Sequence, residues 1–225
     1  MTDKEVTTTP IHPMAVVFDM DGLMLDTERP SVPLWIEVAK TRGWDISEEL
    51  VFRTIGIDEA SCKAVYAGAC GPDFPHAEVR DEVHRMLVEQ AEREGIPHRP
   101  GLISLLDTLA GLGIPLAVAT STARETALWK LRKAGIEERF AVVVCGDEVT
   151  RGKPAPDIFL RAVERLGYAP ADCAGFEDSP AGLMSLHAAG IRSIFIKDIL
   201  EPPPETLATV WRRCIDLAEA ARLFA

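Results

Sequence analysis

No apolar run in the sequence approaches the roughly 20 residues that cross a bilayer, and the opening stretch MTDKEVTTTPIHP lacks the charged-then-apolar pattern of a signal peptide. Both absences lead to the expectation of a soluble, cytoplasmic protein with no membrane partner. Paired cysteines are missing too: Cys62, Cys70, Cys145, Cys173 and Cys214 are odd in number and contain no CxxC. That suits core thiols in a reducing compartment better than a disulfide framework. Positive charge is in deficit, with 24 Lys and Arg against 35 Asp and Glu and a net charge of -11. Nucleic acid, whose binding rests on neutralising backbone phosphates, is therefore not an expected ligand. The five histidines, His12, His76, His84, His98 and His187, show no metal-ligand spacing and read as surface or core residues. Trp35, Trp44, Trp129 and Trp211 read as packing residues, with Trp35 near enough to the first acidic motif to reach a ligand.

What the 225 residues do contain is enough apolar material, 47%, for one sizeable core. Short apolar runs recur, each ending in small or polar residues: AVVFD (15–19), IPLAVATS (114–121), AVVVCGD (141–147), CAGFED (173–178) and SIFIKD (193–198). Near-continuous apolar strands are the habit of a parallel sheet covered on both faces. Between them lie helical stretches at 102–113, 122–135, 154–167 and 179–190. Thr122 is a plausible N-cap of the second, and Ser179 with Pro180 at the first helical position starts the fourth. The βαβα alternation predicts a doubly wound α/β fold with a parallel sheet. From Arg29 to His98 the alternation stops and the pattern is helical throughout. The expected organisation is an α/β core from 1–28 and 99–225 with an inserted helical cap at 29–98, above the strand ends where open sheets bind ligands.

Those strand ends hold the chemistry. VVFDMDGLMLDTE places Asp19, Asp21, Asp26 and Glu28 just beyond the first strand, with Gly22 free to turn the chain away. Carboxylates clustered in a partly buried volume resist ionising together, and a divalent cation relieves this; Mg2+ takes one or two carboxylates plus phosphate and water. Taken singly, each motif has a plainer explanation. The acids can be an acidic turn, Thr120-Ser121 an ordinary helix start, Lys153 a solvated lysine, and Glu177-Asp178 turn acids. Two acids, a hydroxyl pair, a lysine and two more acids at successive strand ends make coincidence a poor account.

DxDGxxxDTE at Asp19 to Glu28, Thr120-Ser121, Lys153-Pro154 and Glu177-Asp178 resemble, in order and spacing, the four motifs of the haloacid dehalogenase superfamily. The branch they resemble is the one related to β-phosphoglucomutase and small-metabolite phosphatases, and the resemblance runs from about Met14 to Lys197. It implies phosphoryl transfer through an aspartyl-phosphate. Asp19 would be the nucleophile and a metal ligand. Asp21 would be the general acid and base, with its main-chain carbonyl on the metal. Thr120, Ser121 and Lys153 would hold the phosphoryl group, and Asp178, with Glu177 directly or through water, would complete a Mg2+ site. Lys153-Pro154 can be a cis peptide. Asp26 and Thr27 would support the turn, and Glu28 would face substrate or cap. The expected function is a Mg2+-dependent phosphatase of a small phosphorylated metabolite, a sugar or polyol phosphate, acting as a monomer. A β-phosphoglucomutase-like mutase is the nearest alternative, although the family's histidine and arginine positions fall here on TERPSVPLW and TIGIDEASC, with Ser31 and Asp58-Glu59. A non-catalytic protein carrying phospho-aspartate as a signal is the alternative of another class.

Overall fold

The computed structural model describes residues 12–55, 59–199 and 201–224, so Asp58 lies outside the described residues. The chain runs β1 (Ala15–Phe18), α1 (Ser31–Thr41), α2 (Glu48–Phe52), α3 (Glu59–Cys70), α4 (His76–Glu94), α5 (Leu102–Gly111), β2 (Leu116–Ala119), α6 (Arg124–Lys133) and β3 (Val142–Val144). It continues through α7 (Asp157–Leu166), β4 (Cys173–Glu177), α8 (Pro180–Ala189), β5 (Arg192–Ile196), α9 (Pro204–Leu207), β6 (Arg212–Cys214) and α10 (Leu217–Ala221). The six strands form one parallel sheet in the order β3-β2-β1-β4-β5-β6. This is the doubly wound α/β architecture expected from the alternation.

Side chains along a strand alternate between the faces of the sheet, and the two cores follow that period of two. Val16, Phe18, Leu116, Val118 and Phe176 pack into one apolar cluster with α5, α6 and α10. Ala15, Val17, Ala117 and Ala119 face the other, against α7 and α8. Phe18 and Phe176, one residue before Asp19 and Glu177, stack with ring centroids 4.8 Å apart. Burying side chains of this size is worth about 1.5–3 kcal/mol each, so the two strand ends bearing acids are tied side by side.

The stretch between β1 and β2 holds α1 to α5 and, among the described residues, no strand. Helices α1 to α4 have their own apolar cluster, in which Val32, Val38, Leu50, Tyr66, Phe74, Val79 and Val83 are buried. Trp35 stacks on Tyr66 at 5.0 Å and Tyr66 on Phe74 at 5.0 Å, so Trp35 is a packing residue here. His76 is buried against both rings, Trp35 and Tyr66. The five cysteines are free thiols, with Cys145, Cys173 and Cys214 buried.

Several local expectations are corrected. Helix α6 starts at Arg124, not Thr122, and its N-cap Ala123 makes no side-chain capping bond. Helix α7 starts at Asp157, after a turn that includes a cis Lys153-Pro154 bond. The 141–147 run is a three-residue strand followed by a short 3-10 turn at Gly146–Glu148. The C-terminal region, beyond the last apolar run, contains α9, the strand β6 and α10. Strand β6 reads Arg-Arg-Cys and lies at the sheet edge, so it needs no apolar alternation. Arg212 and Arg213 cover Trp211 and Phe195 at 5.0 and 5.7 Å. Ser179 caps α8 as expected, accepting from Gly182 N.

Candidate active site

In a parallel sheet all strands end at the same edge, so residues that follow different strands meet there. Strand order reverses at β1: β2 pairs on one side of it and β4 on the other, which makes a crevice outside the strand ends. Asp19 leaves β1, with its N–H donating to Phe176 O at 3.0 Å. Thr120 and Ser121 leave β2, Glu177 and Asp178 lie at the end of β4, and Lys153 enters from the loop after β3. Gly22 has φ +82°, and a Cβ there would lie 2.6 Å from Asp178 Oδ2. Only glycine lets the first turn nest this closely against the acids of β4.

Lys153 Nζ donates to Asp19 Oδ1 and, at 2.6 Å, to Glu177 Oε1. The lysine is nearly inaccessible and its ammonium lies 4.8 Å above the Phe159 ring. Glu177 Oε2 accepts from the N–H groups of Asp178 and Ser179, both at 2.9 Å, and from Ser179 Oγ at 3.0 Å. This places Glu177 beneath the start of α8. The fit requires Gly182, where a Cβ would sit 1.6 Å from Glu177 Oε1.

Carboxylate oxygens of Asp19, Glu177 and Asp178 lie within 4.8 Å of one another. Three acids share this volume with one lysine, and Asp178 Oδ1 is buried without a hydrogen-bond partner. Burial pushes Asp19 up to about 7, with Lys153 pulling it down and Glu177 pushing it further up. Burial, then Glu177 and Asp19, raise Asp178 well above the usual carboxylate range. Burial alone would lower Lys153, but Asp19 and Glu177 outweigh it and hold the ammonium above its ordinary value. An all-oxygen donor set with surplus negative charge and an unfilled buried acceptor fits a hard divalent cation.

The carboxylate of Asp21 is not part of that group. It accepts from Thr27 Oγ1 at 3.1 Å and Lys130 Nζ at 2.5 Å on Oδ1, and from Thr122 Oγ1 at 2.7 Å on Oδ2. Thr120 is buried, and its Oγ1 accepts from Thr122 N at 3.1 Å; Ser121 beside it is exposed. Thr122, a helix-cap candidate in the sequence, donates to Asp21 instead, and Lys130 has no sequence signal, because nothing local marks a lysine on the second turn of a helix. Asp198 was also missed, although SIFIKD shows the same apolar-run-then-acid signal as the other strand ends. It takes ion pairs from Arg29 at 2.5 Å and Arg99 at 3.0 Å. Both chain crossings between the helical segment and the sheet are thereby tied to the end of β5.

A cavity of about 240 Å3 lies among the helices just beyond the first crossing, lined by Glu28, Ser31, Trp35, Thr54, Tyr66 and His76 among others. Glu28 thus faces a cavity, where burial and then Asp21 raise its carboxyl above the ordinary range. Ser31 Oγ donates to Glu28 O at 2.7 Å.

The model of the haloacid dehalogenase-like hydrolases matches residues 13–190, which include every one of the motif residues above. The chain belongs to the haloacid dehalogenase-like hydrolases. It is 34% identical over 187 residues to the phosphorylated carbohydrates phosphatase of Thermotoga maritima, covering 80% of this chain and 83% of that one. With hexitol phosphatase A of Escherichia coli it shares 34% identity over 187 residues, 83% of this chain and 84% of that one. The crystal structure of CbbY from Rhodobacter sphaeroides in complex with phosphate superposes with a TM-score of 0.71 at 27% identity, covering 95% of this chain and 100% of that chain. Family membership and these relatives make this hydrolase an enzyme of the phosphatase kind. Among the described residues no helix is long and apolar enough to cross a membrane.

Proposed function

We propose that this hydrolase is a Mg2+-dependent phosphatase of a small phosphorylated sugar or polyol, working through an aspartyl-phosphate on Asp19. The observation that carries the reading is the buried Asp19 carboxylate, paired with Lys153 and flanked by Glu177 and Asp178. Its phosphatase relatives act by name on phosphorylated carbohydrates and hexitols, which supports the substrate class.

Asp19 attacks phosphorus in line, and the bond from phosphorus to the leaving oxygen breaks as the new one forms. Lys153 orients the attacking carboxylate and offsets charge on the transferring group. Thr120 and Ser121 hold the phosphoryl oxygens. Asp21 gives its proton to the leaving oxygen. It then takes a proton from the water whose oxygen displaces Asp19 from phosphorus, releasing inorganic phosphate. Asp19, Asp178 and the main-chain carbonyl of Asp21 would hold the Mg2+, with Glu177 in a supporting place, and the ion would supply Lewis-acid charge. Glu177 is assigned the supporting place because its oxygens are already engaged by Lys153, Ser179 and the N–H groups of Asp178 and Ser179.

The helical segment at 29–98 serves as the cap: it covers the strand ends and presents the 240 Å3 cavity to the leaving group, excluding bulk water. The five free thiols support a reducing compartment, the cytoplasm, and the proposed state is a monomer. The test is inorganic phosphate release from sugar, polyol and nucleoside phosphates, with Mg2+ or EDTA, for wild type and Asp19→Asn. Release that needs the metal and vanishes in the variant is expected. An Asp19→Asn protein as active as wild type refutes the mechanism, and isomerised sugar phosphate in place of free phosphate indicates a mutase.

A further inference from the structure

The three donors to Asp21 come from three separate parts of the chain. Thr27 lies at the crossing into the helical segment, one residue before Glu28 and its cavity. Thr122 lies two residues beyond Thr120 in the loop after β2, and Lys130 projects from α6. Asp21 is therefore anchored between the phosphoryl-holding loop and the cavity where the leaving group would sit. Its two oxygens are not equivalent: among the described residues Oδ1 takes Thr27 and Lys130, whereas Oδ2 takes the Thr122 hydroxyl alone.

An ammonium has donors and no acceptor, whereas a hydroxyl can turn from donating to accepting. Lys130 and Thr27 therefore fix Oδ1 from two sides, whereas the Thr122 hydroxyl can turn and leaves Oδ2 the freer oxygen. We infer that Lys130 is the positioning residue of the acid–base step: together with Thr27 it pins Oδ1 of Asp21, so that Oδ2 is held on the side of the phosphoryl-holding loop. The inference rests on the proposed role of Asp21. Lys130 acts through Asp21, the one acid among the described residues that it pairs with. Lys130 also borders a separate crevice of about 190 Å3 that Leu87, Ala91 and Trp129 line, so a Met of similar length can fill its place while losing the charge.

The experiment compares kcat/KM for an alkyl phosphate, such as a hexitol phosphate, with that for p-nitrophenyl phosphate. The nitrophenolate leaves without a proton, so its first step does not call on Asp21. Asp21→Asn should lower kcat/KM for the alkyl substrate by about 10²–10⁴, the usual range for a positioned general acid, and for the aryl substrate much less. Lys130→Met should show the same selectivity at smaller size, with an alkyl loss about tenfold greater than the aryl loss, and Lys130→Arg should recover most of it. Circular dichroism and thermal melting of each variant report folding. A folded Lys130→Met protein that loses both substrates equally, loses neither, or gains activity overturns the role of Lys130 and leaves the functional reading standing. A Lys130→Met protein that fails to fold, with Lys130→Arg restoring fold but not the alkyl-to-aryl ratio, overturns it as well. A wild type that releases no phosphate from any substrate overturns the functional reading and this inference together.

Discussion

Withdrawing the divalent cation should destabilise the folded protein in a way that depends on pH. In the metal-free fold, burial and its neighbours move Asp19 from 3.8 to about 7, and Asp178 moves in the same direction. Between those values the folded state holds a proton that the unfolded chain has released. The metal-free protein therefore loses stability as pH rises through the window, by up to about 4 kcal/mol from a shift of roughly 3 units. Lys153, raised in the fold, keeps its contribution across this range because it is charged in both states below its unfolded value. Mg2+ requires the ionised carboxylates and competes with their protons, so it binds weakly near pH 5 and well near pH 8. At a free concentration one hundred times its Kd it adds about 2.7 kcal/mol. For a chain of this size, at about 2–4 °C per kcal/mol, that is a rise in Tm of about 5–11 °C. Differential scanning fluorimetry with Mg2+ or EDTA at pH 5 and pH 8 measures it, with Asp178→Asn as control. An equal rise at both pH values, no rise at pH 8, or an undiminished rise in the control refutes the reasoning.

Other perturbations follow from the same geometry. Lys153→Met leaves Asp19 and Glu177 buried without their counter-ion, which should cost about 3–5 kcal/mol in urea denaturation; added Mg2+ should return part of it, but sugar-phosphate turnover should stay lost. Gly182→Ala puts a methyl where Glu177 already sits, so thermal melting should show a loss of about 3 kcal/mol together with a weakened response to Mg2+. Glu28→Gln should raise KM for a polyol phosphate about tenfold, the worth of one hydrogen bond to a charged group, with a smaller change in kcat. An unchanged KM in steady-state assays would remove Glu28 from the leaving-group pocket.

Much of the candidate site could be read along the chain because a parallel sheet turns a one-dimensional pattern into a place. Apolar runs ending in Asp19, Thr120 and Glu177 had to finish at one edge once the strands were parallel, and Lys153 is brought beside them by a loop in which Pro154 and Pro156 follow it. The sixth strand could not be read: its Arg-Arg-Cys core has no alternation, and its edge position with arginines lying over rings asks for none.

The composition and motif order were sufficient for the α/β class, the helical interruption after β1 and the meeting of Asp19, Lys153, Glu177 and Asp178. The folded chain alone decided which atoms of those residues pair. Thr122 turns to Asp21 instead of capping α6, Lys130 reaches Asp21 from 109 residues away, and Asp198 holds both crossings through Arg29 and Arg99. Strand and turn tendencies are local and survive in the sequence. The direction of a side chain on a helix, and the partner it finds, depend on how that helix is rotated against a sheet assembled from distant segments.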